Sequence, residues 1–298
     1  MKNTVSRWGL PPPASLEEFI VSTSGQNRFL VLDCYDGNHF EGALDYFEVK
    51  ESARFRMPVH TVEGGERDPL LVHLDMEHAE TLMQAALEEA VEKSSRTTRE
   101  SRNISALASS ASEPVHVVKS FVRAARYRLR GSTKSAAFRF FDPRVMHTLQ
   151  RLFIPLQTAM LLGPITYWGY VDFRAQFRLV KNNSPRNSSS VVIRDEQVSV
   201  LRRNATVQAA LQRLNRFRVD WPEDLDAVLD SFVQHAPEEL HKAGIMHCED
   251  SLSAYAALCW LCDTGRADSQ LVGQVMKEYR ETGAPLRVSL ETLLPEFF

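Results

Sequence analysis

Only four cysteines occur in the 298 residues, Cys34, Cys248, Cys259 and Cys262, too few to staple a chain of this size. Reduced thiols are therefore expected. Neither sign of charge is in excess. With 35 Lys and Arg against 38 Asp and Glu, no global field draws the chain to nucleic acid or to an anionic membrane. No apolar run reaches membrane length either: the richest window, residues 152–168, is broken by Gln157, Gly163 and Pro164 and falls short of the roughly 20 residues a spanning helix needs. Lys2 and Arg7 lead into Pro11-Pro12-Pro13 instead of the apolar core of a secretory signal, so a cytoplasmic location is the expectation. The glycines are not grouped as a phosphate cradle requires. Gly64-Gly65 lacks both a third glycine and a following Lys-Ser/Thr. A nucleophile elbow and a His-Glu-x-x-His zinc pattern are missing too.

What is present is enough apolar content, 44%, for a sizeable core. Ser15 and Glu18 form a capping box for a short helix over 14–22, and Phe29-Leu30-Val31-Leu32, ended by Asp33, suits a central strand covered on both faces. Residues 70–74 repeat that strand pattern before a helix from about Glu77 to Glu92. From Lys93 to Ser112 the chain is rich in Ser, Thr and Arg and poor in large apolar residues, which predicts a mobile loop. A helix with a basic outer face follows over 117–130, closed by Gly131. Phe138–Phe141 reads as a short strand, and Asp142-Pro143 as the cap and first position of a helix bearing Val145, Met146, Leu149, Leu152 and Phe153. Residues 161–165 read as a turn. Strict alternation over Val171–Leu179 predicts a half-exposed strand with Asp172, Arg174, Gln176 and Arg178 outward. After a polar loop to Ser190, Val191–Ile193 reads as a strand and Asp195–Phe217 as a helix. Everything beyond Trp221 is helical in period: 223–235, 251–262, 267–281 and 289–294. The expected fold is an α/β lobe with a mixed α+β sheet followed by a small all-α C-terminal lobe. Its expected domains are a 1–27 segment, an α/β domain over 28–217 containing the mobile loop 93–112, and a helical lobe over 218–298.

Three groups of residues invite a chemical reading. Cys259 and Cys262 form a Cys-x-x-Cys pair with His235, His241, His247 and Cys248 upstream, but one pair inside an apolar helical pattern suits packing better than zinc. Asp33, Asp75 and Asp142 each follow a predicted strand, where open α/β sheets place catalytic carboxylates. Turns and caps explain them as well, and no His, Lys or Ser accompanies them at motif spacing. The basic helix and the aromatic stretch Tyr167, Trp168 and Tyr170 fit a core first, a protein interface second and nucleic-acid stacking third.

One stretch is more specific. At Phe138-Arg139-Phe140-Phe141-Asp142-Pro143-Arg144-Val145, then Leu161-Leu162-Gly163-Pro164-Ile165 and Trp168, the sequence resembles the type VI secretion effector chaperones, also called adaptors. The strand ending in Asp33, the Pro69-Leu70-Leu71-Val72 strand, and Ser120–Arg130 agree, so the resemblance spans about residues 28–215. Cys34-Tyr35-Asp36-Gly37 is bulkier than the family's usual turn, and 93–112 resembles an insertion. The resemblance implies a cytoplasmic, non-catalytic protein that binds a cognate toxin effector and helps load it onto the spike protein of the contractile apparatus. No cofactor, metal, nucleic acid or membrane is implied. Phe138, Arg139, Phe140, Asp142, Pro143, Arg144, Gly163, Pro164 and Trp168 are its signature, expected to shape the lobe before touching a partner. The α/β lobe is expected to serve the shared spike and the helices after 221 the toxin. The alternative is a carboxylate-dependent, nuclease-like metal enzyme using Asp33, Asp75 and Asp142.

Overall fold

A computed structural model describes residues 14–34, 40–59, 67–75, 77–96, 103–128, 135–186, 191–214, 221–222, 224–242, 244, 248–265, 267–268 and 270–282. The chain divides into two compact units, 1–193 and 194–298. The expected boundary at 217/218 thus moves upstream, because the helix beginning at Asp195 packs with the helices that follow it.

In the first unit, α1 (Leu16–Ser22) starts at Ser15, whose side chain accepts from the Glu18 amide at 3.0 Å. It leads into β1 (Asn27–Leu32). Then come α2 (Glu41–Tyr46), β2 (Arg54–Arg56), β3 (Leu70–His73), α3 (Ala79–Arg96) and β4 (Ile104–Ser110). After α4 (Pro114–Ala124), a short ribbon of β5 (Arg126–Arg128) and β6 (Ser135–Ala137) precedes α5 (Pro143–Leu152), α6 (Pro155–Leu162), β7 (Ile165–Val171) and β8 (Phe177–Lys181). Six strands form one sheet in the order β2-β3-β1-β4-β7-β8, every neighbouring pair antiparallel.

Both faces of this sheet are covered, as the continuous apolar run of β1 requires. Leu30, Leu32, Leu70, Val72, Val171 and Phe177 pack on one side with Phe19 of α1 and Leu82, Met83 and Ala86 of α3. On the other side Trp168 meets Phe121 of α4, and Tyr170 meets His147 of α5. An α/β/α layering results, and a mixed α/β lobe before a helical one is the observed class.

Several local expectations change. Residues 104–110, placed in the mobile loop 93–112, form the buried strand β4 between β1 and β7. Ala108 lies opposite Phe29 on one neighbour and Trp168 on the other, so a small side chain makes room for two large ones. Two of the strand's three hydroxyls are satisfied, Ser109 donating to Gln26 Oε1 (2.9 Å) and Ser110 to the Pro164 carbonyl (2.7 Å), while that of Ser105 is buried without a partner among the described residues. Residues 93–96 close α3. The basic helix ends at Ala124 rather than Arg130, its tail becoming β5; Gly131 lies outside the described residues.

The alternation over 171–179 is not one strand but the end of β7, a turn and the start of β8. Asp172 builds that turn by accepting from the Arg174 (2.8 Å) and Gln176 (3.0 Å) amides. Its other oxygen takes Arg178 Nε at 2.8 Å, and both side chains are buried rather than solvated. Residues 155–162 form the helix α6, which narrows the turn expected at 161–165 to Gly163-Pro164, and 191–193 are irregular, with Val192 exposed.

The second unit contains α7 (Asp195–Leu214), α8 (Leu225–Lys242), α9 (Glu249–Asp263) and α10 (Gln270–Thr282). The first three pack mutually, and α10 packs on α9. Arg203 of α7 clamps Asp230 of α8 through two 2.8 Å bonds. The helix expected at 289–294 lies outside the described residues.

Candidate functional site

Phe138 to Arg144 gather at one corner near the end of β1, and Trp168 packs against their rings, whereas Gly163 and Pro164 lie at the other end of the sheet, where β7 begins opposite Ser110. Phe138 N donates to the Ala125 carbonyl, Phe140 N to Phe138 O and Asp142 N to Arg139 O, at 2.7, 2.8 and 3.0 Å. The first bond ties residue 138 to the end of α4, and the other two are consecutive tight turns, so the strand expected at 138–141 is absent. A strand would send Phe140 and Phe141 to opposite faces; the turns bring both against Phe121, with ring centroids 4.8 and 5.5 Å away. Trp168 completes the bed at 5.8 Å from Phe140 and 6.2 Å from Phe121. Phe140, Phe141 and Trp168 are fully buried.

Four charged residues run along this corner. Asp33, at the end of β1, accepts from Arg139 Nη2. Arg139 also faces Asp142 at 4.0 Å, and Asp142 is held by Arg144 through Nε (2.9 Å) and Nη2 (2.6 Å). Asp142 additionally caps α5 by accepting from the Arg144 amide at 2.9 Å, and Pro143 takes the first helical position as expected. Burial works against the charge on Asp142, but hydrogen bonding and charge from Arg144, with Arg139 beyond, outweigh it and hold the carboxyl below its ordinary 3.8. Gly163 lies at φ 60°, a left-handed conformation that suits glycine, where α6 turns into β7. Its carbonyl accepts from Asn182 Nδ2 and the Arg186 amide, both at 3.0 Å, and the neighbouring Pro164 carbonyl takes Ser110.

The three aspartates do not assemble into a metal set. Parallel sheets gather carboxylates at the C-terminal ends of their strands, but β1 and β3 run antiparallel with Phe29 opposite His73 and Leu32 opposite Leu70. Asp33 and Asp75 consequently leave the sheet at opposite ends. Asp75 is exposed and 3.9 Å from His73, while Asp33 and Asp142 are committed to arginines. An ionised carboxylate bonded twice by one arginine, such as Asp142, is a weak proton acceptor.

Among the described residues no three His, Cys, Asp or Glu side chains are grouped as metal ligands. Cys259 lies in α9, where burial is the main cause pushing its thiol up to about 11 and away from the reactive thiolate. Cys262 Sγ donates to the Asp268 carbonyl at 3.2 Å, Cys248 precedes α9 and is exposed, and His235 Nδ1 lies 2.7 Å from Ser231 O within α8. His241 is exposed near the end of α8, and His247 lies outside the described residues. No described helix is long and apolar enough to cross a membrane.

Sequence reasoning missed the Asp172–Arg178 pair and the depth of the Asp33–Arg139 bond. The one available signal for the first was an aspartate and an arginine six positions apart around a turn without glycine or proline. No protein-family model, curated protein or solved structure matches the chain.

Proposed function

We propose that this protein is a chaperone, or adaptor, that binds a cognate toxin of a type VI secretion apparatus and helps load it onto the spike protein. The observation that carries the reading is the union of several signature segments. The end of β1 and residues 139–144 share one charge ladder, and Phe121, Phe140, Phe141 and Trp168, distant in sequence, share one aromatic bed beside it. Residues tied in this way act as a unit, which supports reading the resemblance as a whole-domain likeness rather than a chance motif.

A carrier must present surface, and the first unit does so. Ile154 and Leu156 are exposed at the start of α6, and Val192 stands beside them because Gln157 Nε2 donates to its carbonyl at 2.8 Å. Loading, not bond making, is the proposed work. The spike is assigned to the α/β lobe and the toxin to the helical unit. Deleting the gene should abolish delivery of the cognate toxin while spike secretion continues, and the intact gene should restore delivery. Unchanged delivery from the deletion strain refutes the proposal.

A further inference from the structure

The charge of this chain is balanced overall but not locally. Residues 113–164, which include α4, α5 and α6, contain nine Lys or Arg and only two acidic residues, Glu113 and Asp142. The rest of the chain therefore carries 26 basic against 36 acidic side chains. In the first unit the acidic and the basic excess lie on opposite sides of the sheet. On its α1 and α3 side the exposed positions include Glu17, Glu18, Glu80, Glu88 and Glu92. On the opposite side α4 exposes His116, Lys119 and Arg123, at i, i+3 and i+7 on one face of the helix.

Apolar side chains accompany that stripe. Val115 of α4 is half exposed, and α6, packed beside α4, exposes Ile154 and Leu156. Lys119 makes no ion pair among the described residues. Among the described side chains of this side, the aromatic residues Phe121, Phe138, Phe140, Phe141, Phe153 and Trp168 are buried and offer no platform for stacked bases. From its first to its last residue the stripe rises only about 10 Å along the helix, too short to follow many phosphates. Cations flanked by aliphatic groups match carboxylates interleaved with aliphatic side chains, a combination a polypeptide supplies and a nucleic acid does not.

We infer that the α4–α6 face docks an acidic, amphipathic segment of a partner polypeptide. The inference rests on the chaperone reading, in which this lobe serves the spike, and it gives that partner a chemistry: glutamate- or aspartate-rich, with aliphatic residues between. Attraction across the stripe steers the encounter, and Ile154 and Leu156 supply the apolar anchor.

The test titrates the full chain into a fluorescein-labelled synthetic peptide of glutamate and leucine, with a peptide of lysine and leucine and a single-stranded DNA oligonucleotide as comparators. The acidic peptide should bind best and weaken as salt rises. Lys119→Glu combined with Arg123→Glu should weaken it roughly tenfold, Lys119→Glu alone severalfold, and Leu156→Ser severalfold with little change in salt dependence. Each variant is first shown to keep the wild-type melting temperature, and Lys119→Glu alone suffices if the double variant does not fold. Binding indifferent to Lys119→Glu, or DNA binding tighter than peptide binding, overturns the inference. A parallel titration with the proposed spike and toxin separates the two ideas. Loss of spike binding with toxin capture intact in Lys119→Glu supports the docking face. Wild-type protein that binds the acidic peptide but neither toxin nor spike leaves the face standing and removes the chaperone reading.

Discussion

Asp142 shows how much one side chain can carry. It caps α5, holds Arg144 through two bonds and closes the ladder that Asp33 begins. Asp142→Ala removes the cap and leaves two arginines without their shared carboxylate, a loss of about 3 kcal/mol. Asp142→Asn keeps the capping oxygen and should cost clearly less, so thermal melts of the two variants separate the cap from the charge. The pH dependence follows from the lowered pKa. Below 3.8 the unfolded chain takes up the proton before the folded one does, so stability from this group is complete above that pH and drains away as pH falls through the folded value. Denaturant midpoints between neutral pH and about pH 2 should fall more steeply for wild type than for Asp142→Asn. A cap followed by proline announces itself in sequence, and here it was legible. The partners of Asp33 and Arg178 were not, because Arg139 is 106 positions from Asp33 and the Asp172–Arg178 pair lies inside an unbroken polar–apolar alternation.

Elements were legible where their own residues fix them and illegible where neighbours do. The capping box of α1 and the apolar run of β1 are local signals and matched the structure. Strand β4 is the opposite case: Ile-Ser-Ala-Leu-Ala-Ser-Ser has weak strand propensity, and it is a strand because Phe29 and Trp168 need small residues between them. The hairpin of β7 and β8 hid its turn because the left-handed position is Ala175, at φ 59°, instead of glycine or asparagine. Its glycine is used elsewhere. A Cβ on Gly169 would stand 2.3 Å from Phe177 Cζ, whose ring is packed in the core across the strands. Gly169→Ala should therefore cost about 1–3 kcal/mol through overpacking. Phe177→Leu added to it should recover part of that loss, and a double-mutant cycle of melts reads the coupling.

The chain as a whole joins an α/β unit whose two faces differ in charge to a helical unit held by apolar packing and the Arg203–Asp230 clamp. Composition alone reported only near-neutrality, since the basic 113–164 region and the acidic remainder cancel. The antiparallel sheet sends Asp33 and Asp75 to opposite ends, so these two carboxylates do not share one site. The direct measurement of the chaperone reading is size-exclusion chromatography with light scattering on the purified full-length chain mixed with the proposed cognate toxin. A single co-eluting complex of defined mass, with the toxin kept in solution, is the predicted result. Separate elution of the two proteins, together with metal-dependent turnover of a substrate that is lost in Asp33→Ala, is the result that contradicts the account.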